Sequence, residues 1–320
     1  MNNVRWFAWI AFASLSLLVL EGSSPSPTTT AQVLVTVGHH YGTEAPILKL
    51  DDLTVMSQRG ETLPVTALIP LRGDRAALEL FLLVDNCSNC EVGSKFDELQ
   101  RFINAQLPST GIGVAYIQDG KLHVAENPTH DHERAVKALS APTGSKPSDP
   151  FNALAELIKS WPRSSARHVV LMISNGINVT AADQIADPSA EGAIEAAERA
   201  NVIVYAIYHP SADYLKSTYA VTHFGQVQLA HVADESGGEA YFLGTDPLPS
   251  LAPFLADMSD HLANQYVVQF AVEPAESGGA LQAVTVRSKA PDLELMAPYK
   301  VWIPGAPSSM DGKASRGNRP

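Results

Sequence analysis

The stretch LELFLLV, residues 78–84, is apolar at every position except Glu79, and Asp85 follows it. A strand that is buried on both faces of a parallel sheet has this pattern. Two further runs of the same kind, HVVLMI at 168–173 and VIVYAIY at 202–208, follow along the chain. Apolar residues at helical spacing lie between the runs, for example at 96–103. Strands that alternate with helices of this length predict right-handed βαβ units and an α/β fold with a doubly wound, mostly parallel sheet.

The segments on either side of this α/β region, which we place at 76–264, have strand character. Residues 32–75 contain apolar stretches separated by turn residues, and residues 265–304 alternate apolar and polar side chains. The two flanks could pack together as one small β-sandwich beside the α/β domain, or they could form two separate pieces. Residues 305–320 are polar, which predicts a disordered tail.

The amino terminus is typical of an export signal. Arg5 precedes an uncharged apolar stretch of 15 residues, 6–20, and a segment rich in Ser, Pro and Thr follows. A membrane-spanning helix needs about 20 apolar residues, so this stretch is short for one. We predict a signal peptide at 1–31 that is cleaved after Ala31, with an uncleaved membrane anchor as the alternative. Both place the protein outside the cytoplasm, secreted or in the periplasm or cell envelope. No later segment is apolar enough to span a membrane.

The charge balance and the absent motifs exclude several classes of function. The chain has 34 acidic and 22 basic residues, a net charge of -12, and no stretch rich in Lys or Arg. Nucleic-acid-binding proteins present a basic face, so we expect no nucleic-acid partner. The sequence also lacks a G-x-S-x-G elbow, a Walker loop and a G-x-G-x-x-G motif after a strand. We therefore expect a protein that binds other molecules and is not an enzyme.

The order of these segments resembles a known family. Residues 76–264 resemble a von Willebrand factor A (VWFA) domain, and with its β flanks the chain is similar to the exported VWFA-related proteins of Acidobacteria. The resemblance implies an adhesion-type or scaffold-type module that binds an unidentified protein partner. The cues are Asp85 at the end of a strand, Ser148 ahead of 152–154, VVLMISNG at 169–176, AAERANVIVYAI at 196–207 and LAHVADESGGEAYFL at 229–243.

The resemblance also implies a metal-ion-dependent adhesion site, in which D-x-S-x-S, a distant Thr and a distant Asp bind Mg²⁺ or Mn²⁺ through oxygen atoms. Asp85 matches the first ligand, and Ser148 stands at the Thr position. Cys87, Asn89 and Asn175 occupy the remaining ligand positions. Because a thiol is a poor ligand for Mg²⁺ and Asn lacks the charge of Asp, we expect metal binding to be weak or lost. In the alternative interpretation, Asp85 hydrogen-bonds its loop and Ser148 caps the following helix.

Cys87 and Cys90 form a C-x-x-C where a strand gives way to a helix. In an oxidising compartment, a lone pair of cysteines most often forms a disulfide, which is the interpretation we favour. A helix amino terminus also lowers the pKa of a thiol, as in redox-active C-x-x-C sites. The alternative function is therefore an exported thiol–disulfide oxidoreductase that uses these two residues.

In such sheets, binding sites form in the loops at the carboxyl ends of the strands. We expect partner-binding loops at 85–94, 147–152, 174–182 and 209–227, with Ser174 interpreted as a loop residue. The stretch 208–225 is predicted to be a long loop whose aromatic side chains suit a binding hot spot. These side chains are Tyr214, Tyr219, His223 and Phe224. Self-association of a scaffold through the β flanks is a further hypothesis.

Overall fold

The computed structural model describes residues 28–38, 46–85, 91–139, 148–162, 164–178, 187–210, 219–244, 246, 248–276, 278–290 and 293–306. The strands are β1 (Thr29–Gly38), β2 (Leu53–Ser57), β3 (Thr62–Leu63), β4 (Val65–Pro70), β5 (Leu78–Asp85), β6 (Thr110–Gln118), β7 (Lys121–Thr129), β8 (Arg167–Ser174), β9 (Val202–Tyr208), β10 (Ala240–Tyr241), β11 (Gln265–Val272), β12 (Ala280–Ser288), β13 (Glu294–Met296) and β14 (Lys300–Ile303). The helices are α1 (Phe96–Ala105), α2 (His132–Ala138), α3 (Pro150–Ser160), α4 (Pro188–Ala200), α5 (Tyr219–Ser236) and α6 (Ala252–Ala263).

The central sheet has six strands in the order β10-β9-β8-β5-β6-β7. All neighbours are parallel except β7, which runs antiparallel to β6 at one side. The chain begins in the middle at β5, extends through β6 and β7, and then crosses to β8 on the other side of β5. This reversal of strand order defines a doubly wound sheet. The predicted mostly parallel, doubly wound α/β fold is confirmed.

Helices cover both faces of this sheet. Successive side chains of a strand point to opposite faces. On one face, Leu80 and Leu82 of β5 pack in the same core as side chains of α1, α2 and α6. On the other face, Phe81 and Leu83 pack with side chains of α3, α4 and α5. Every position of β5 from Leu80 onward is therefore buried, which explains why the sequence of this strand is continuously apolar.

The two flanks form a single β-sandwich. One sheet has the order β13-β1-β11-β4 and the other β14-β12-β2-β3, so each contains strands from both ends of the chain. β1 and β11 pair antiparallel over their length. Val35 of β1, Phe270 of β11 and Ile303 of β14 are fully buried in the core that the two sheets share. The α/β domain is thus inserted between β4 and β11 of the sandwich.

The carboxyl-terminal stretch 293–303 contains two strands, β13 and β14. β13 pairs with β1, whereas β14 pairs with β12 in the other sheet. Pro298 lies between them, and a proline has no backbone N–H for a sheet hydrogen bond. The chain passes from one layer of the sandwich to the other at this point.

The predicted long loop at 208–225 is also wrong in part, because α5 begins at Tyr219. His223 and Phe224 therefore lie on a helix, and Tyr214 lies outside the described residues. The helix was hard to predict because Gly225 in its interior costs about 1 kcal/mol in helix propensity. The structure shows why a glycine is present, since a Cβ at Gly225 would lie 2.2 Å from the backbone oxygen of Asn175. Tertiary packing fixes this helix against its local propensity.

The predicted cleavage point after Ala31 lies inside a strand. β1 begins at Thr29, and Ala31 is buried and pairs with Phe270 of β11. Residues 1–27, which contain the apolar stretch, lie outside the described residues. Among the helices that the structure describes, none combines the length and apolar character needed to cross a membrane.

Candidate functional site

A hydroxyl–carboxylate cluster lies where the parallel strands end, which we name the carboxyl edge. β5 and β8 are neighbours in the sheet, and their last residues are Asp85 and Ser174. The Oγ of Ser174 donates to Oδ2 of Asp85 at 2.7 Å. Ser148, which lies just ahead of α3, donates its Oγ to the same oxygen at 2.8 Å. The fold therefore brings three residues from three segments around one carboxylate oxygen.

Asp85 is a buried carboxylate with one unused oxygen. The residue is 2% exposed, and its Oδ1 has no hydrogen-bond partner among the described residues. Burial raises the pKa of Asp85 to about 6, and the hydrogen bonds from Ser174 and Ser148 oppose that rise. Neutral hydroxyls compensate a buried charge less well than a cation does. At neutral pH, the cluster therefore has an incompletely compensated negative charge.

A rigid turn follows β8 and holds the cluster in place. Oγ of Ser174 accepts a hydrogen bond from the Gly176 N–H at 3.1 Å. The side-chain oxygen of Asn175 accepts one from the Ile177 N–H at 2.9 Å. Gly176 has a positive φ of +67°, and a Cβ there would lie 2.3 Å from the backbone oxygen of Gly225 on α5. The backbone of the turn and the backbone of α5 are thus in direct contact, with Gly176 on one side and Gly225 on the other.

A second polar network lies beside this turn at the amino termini of α3 and α4. Asn178 donates to Oδ1 of Asp149 and to Oγ of Ser189, both at 3.2 Å. Oδ2 of Asp149 accepts from Asn152 at 2.6 Å. Oδ1 of Asp187 accepts from the backbone N–H and the hydroxyl of Ser189. Side-chain hydrogen bonds thus tie the starts of the two helices to the segment after β8.

The imidazole of His209 adds a neutral polar group at this edge. His209 follows β9, and its backbone N–H donates to the Ser174 carbonyl at 2.9 Å. The side chain is buried, and neither ring nitrogen has a hydrogen-bond partner within the described parts of the chain. Burial, and then the charge of Lys95, lower the pKa of His209 to about 4. The ring is therefore neutral at physiological pH.

The structure places the residues predicted from the metal-site pattern in different environments. Asp85 and Ser148 are in direct contact, as the pattern implies. Ser148 does not cap α3, because the N-cap position belongs to Asp149. Asn175 makes no hydrogen bond to Asp85, although both residues are described, and its oxygen closes the turn. Cys87, Asn89 and Cys90 lie outside the described residues.

Ser174 is a residue of the candidate site that sequence reasoning misassigned to a loop. It is the last residue of β8, fully buried, and a donor to Asp85. The sequence did contain a signal, because Ser174 ends an apolar strand run as Asp85 does. The carboxyl ends of neighbouring parallel strands meet at the same edge of the sheet. Two polar residues at such ends are therefore expected to be in contact.

The described part of the site fits a divalent cation poorly. Mg²⁺ takes six oxygen ligands and is usually held by carboxylates and water. The cluster offers one carboxylate oxygen of Asp85 and the lone pairs of the Ser148 and Ser174 hydroxyls. One buried charge and two neutral oxygens provide little of the electrostatic attraction that such an ion requires. These residues support weak cation binding at most.

Large apolar side chains are exposed at the same edge, two strands beyond β8. Phe242 and Leu243 directly follow β10 and are 42% and 66% exposed. The side-chain amide of Gln226 on α5 donates to the Gly244 carbonyl at 2.6 Å, which fixes this segment against the helix. Val227, the next residue of α5, is also exposed. Exposed apolar clusters on a folded surface mark binding sites for other proteins.

Comparisons with known proteins give fold-level similarities only. No protein-family model matches the sequence, and the comparison with curated proteins found no match. The structure of three N-terminal domains of the type V pili tip protein Mfa5 from Porphyromonas gingivalis aligns with a TM-score of 0.43 and 10% identity, covering 88% of this chain and 66% of that one. The vWF domain of the same protein aligns at 0.42 and 11% identity, covering 62% and 95%. The SpRpn10 VWA domain aligns at 0.35 and 17% identity, covering 56% and 94%.

The chain therefore spans slightly less than two thirds of the three-domain Mfa5 structure. The α/β domain itself has a doubly wound topology, with a central β5, helices on both faces and polar strand ends at the carboxyl edge. The site's chemistry rests on the contacts described above.

Proposed function

We propose that this chain is an exported, non-enzymatic protein-binding module of adhesion or scaffold type, which presents the carboxyl edge of its sheet to a protein partner. The single observation that carries the proposal is the exposure of Phe242 and Leu243 beyond the end of β10. Three strand spacings separate β10 from β5, so the pair lies about 14 Å across the sheet from the Asp85 cluster. A protein interface of standard size is wide enough to cover both the exposed pair and the edge above the Asp85 cluster.

The rigidity of the edge supports this function. Backbone contact between Gly176 and Gly225, and the Asp149–Asn178–Ser189 hydrogen bonds, fix the segments after β8 before any partner arrives. A pre-organised surface loses less conformational entropy on binding. Asp149, which is partly exposed, lies at the same edge at the start of α3, and the chain carries a net charge of -12. A basic protein surface is the complementary partner.

Site-specific photo-crosslinking in the native cell tests the proposal. A photoreactive residue replaces Leu243 at the carboxyl edge or, as the matched control, Leu107, which is 61% exposed in the connection between α1 and β6 at the opposite edge. We expect a discrete crosslinked protein from position 243 and none from position 107. Equal crosslinking from both positions, or none from 243 across growth conditions, would contradict the proposed surface.

The non-enzymatic part of the proposal has its own test. Cys87 and Cys90 are the residues on which a redox activity would depend. We expect the purified protein to show no reduction of insulin disulfides above the reductant background. Turnover that disappears in Cys87→Ser would overturn this part of the proposal and leave the binding surface to be judged separately.

A further inference from the structure

A second polar cluster lies at the opposite end of the strands, which we name the amino edge. Glu239 directly precedes β10, and Asp257 and His261 are one helical turn apart on α6. A cavity of about 270 Å³ opens here, and four acidic residues and His261 are among the side chains that line it. The acidic residues are Asp234, Glu239, Asp257 and Glu294. Gly38 and Met296 of the β-sandwich also line the cavity, which therefore lies between the two parts of the fold.

Three potential ligand atoms converge in this cavity. Nδ1 of His261 lies 3.7 Å from Oε2 of Glu239 and 3.7 Å from Oδ2 of Asp257. One ligand atom from each residue lies within 4.8 Å of the other two. These separations are longer than hydrogen bonds. Two ligands that each sit about 2.0–2.2 Å from one ion are about 3–3.6 Å apart. The two distances from His261 are therefore already close to those around a shared ion.

Neighbouring side chains fix the orientation of Asp257 and His261. The hydroxyl of Tyr241 donates to Oδ2 of Asp257 at 2.9 Å, which fixes the position of that carboxylate. The His261 side chain is 5% exposed, and its ring stacks on that of Tyr205. Hydrogen bonds and packing around metal ligands commonly fix their orientation in this way.

The charges of the cavity favour a cation. Neither Lys nor Arg is among the described residues that line it. Four carboxylates, those of Asp234, Glu239, Asp257 and Glu294, line this one cavity. The carboxylates therefore repel one another across the cavity. A bound cation would relieve this repulsion.

We propose that Glu239, Asp257 and His261 bind a divalent zinc-type cation at the amino edge, where the ion joins the α/β domain to the β-sandwich. One imidazole and two carboxylates form a ligand set that suits Zn²⁺, and three protein ligands leave a coordination position for water. This site is separate from the carboxyl edge and independent of the proposed protein-binding function. In the simpler alternative, a protonated His261 forms an ion pair with the two carboxylates and no metal binds.

Calorimetric titration of ZnCl₂ into tag-free, chelator-treated protein at neutral pH tests the proposal. We expect saturable binding of one equivalent to the wild type. Affinity should fall at least about tenfold in Asp257→Asn, His261→Gln and Glu239→Gln, since each variant removes one ligand. The side chain of Glu239 is 42% exposed, so its variant is the least disruptive to folding and keeps the test decisive if a buried variant fails to fold.

Two control variants separate this site from other Zn²⁺-binding groups. His231→Gln removes the imidazole of an exposed pair with Glu191, whose two atoms are 3.0 Å apart. Asp85→Asn removes the carboxylate of the carboxyl edge. Both should bind Zn²⁺ like the wild type. The proposal is overturned if the wild type shows no saturable binding, if the three ligand variants retain it, or if the controls lose it equally.

Discussion

At the carboxyl edge of the sheet, one buried carboxylate accepts hydrogen bonds from two hydroxyls. At the amino edge, the Glu239 and Asp257 carboxylates and the His261 imidazole converge on a cavity whose described lining contains neither Lys nor Arg. The carboxyl edge combines a small polar cluster that carries one buried carboxylate with exposed apolar side chains, which suits a protein partner. The amino edge concentrates like charges in a partly enclosed space, which suits an ion.

The largest expected effect concerns the backbone contact that fixes the carboxyl edge. Gly225→Ala places a Cβ 2.2 Å from the Asn175 backbone oxygen. We expect a loss of about 3 kcal/mol in the free energy of unfolding. The matching decrease in Tm is about 6–12 °C by calorimetry. Gly192→Ala in α4 is the control, because its Cβ would have no neighbour within 4 Å. An unchanged Tm in Gly225→Ala would show that α5 does not pack on this turn.

The next largest effect is a pH dependence of the free energy of unfolding, which arises from the charge of Asp85. Its folded-state pKa is raised to about 6 from 3.8, so the folded state binds the proton more tightly than the unfolded state. The stability that Asp85 contributes is fully present below pH 3.8 and is lost as the pH rises through 6. The loss amounts to about 3 kcal/mol. Urea unfolding between pH 4 and 7.5 should show this decline in the wild type relative to Asp85→Asn. Parallel curves for the two proteins would contradict a buried, poorly compensated carboxylate.

At the amino edge, Tyr241→Phe removes the hydroxyl that donates to Asp257. The metal ligands stay, but one loses its orienting hydrogen bond. We expect Zn²⁺ affinity to fall about tenfold by calorimetric titration. Tyr299→Phe removes an exposed tyrosine hydroxyl and should leave the affinity unchanged. Equal Zn²⁺ affinities in the wild type, Tyr241→Phe and Tyr299→Phe would show that the Tyr241 hydroxyl does not contribute to metal binding.

The smallest expected effect is that of Mg²⁺ or Mn²⁺ at the carboxyl edge. A site with a Kd near 10 mM stabilises the folded protein by about 0.4 kcal/mol at 10 mM ion. The corresponding rise in Tm is about 1 °C. Any such rise at the carboxyl edge should disappear in Asp85→Ala. A saturable rise of several degrees that depends on Asp85 would show that the carboxyl edge is a working metal site and that its protein-binding role involves the ion.

The fold was largely predictable because its central strands are buried on both faces. Residues 80–84 of β5 and 169–173 of β8 are continuous apolar runs. A pattern of this kind can be recognised without knowledge of tertiary contacts. The start of α5 was not predictable, since Gly225 weakens the local helical signal and is required by a contact with a distant turn. The local pattern of apolar residues predicts which strands are buried. The start of a helix such as α5 depends instead on contacts between distant segments.

The candidate sites were predictable only in part. Asp85 could be placed at a strand end from the sequence, and Ser174 had the same signal. The amino-edge cluster had no local signal. Glu239 precedes β10, whereas Asp257 and His261 belong to α6, and no metal-binding motif spans them. Their convergence depends on how α6 packs on the sheet beside the β-sandwich. A sequence read segment by segment does not contain that information.

The most direct test of the carboxyl edge as a binding surface is the affinity of the partner captured at position 243. Its Kd should be measured for the wild type, Leu243→Glu and Leu107→Glu, with unfolding curves to show that all three proteins are folded. We predict at least about tenfold weaker binding for Leu243→Glu, because a charge would be buried at an apolar contact, and an unchanged Kd for Leu107→Glu. An unchanged Kd for Leu243→Glu, or equal weakening in both variants, would contradict the account.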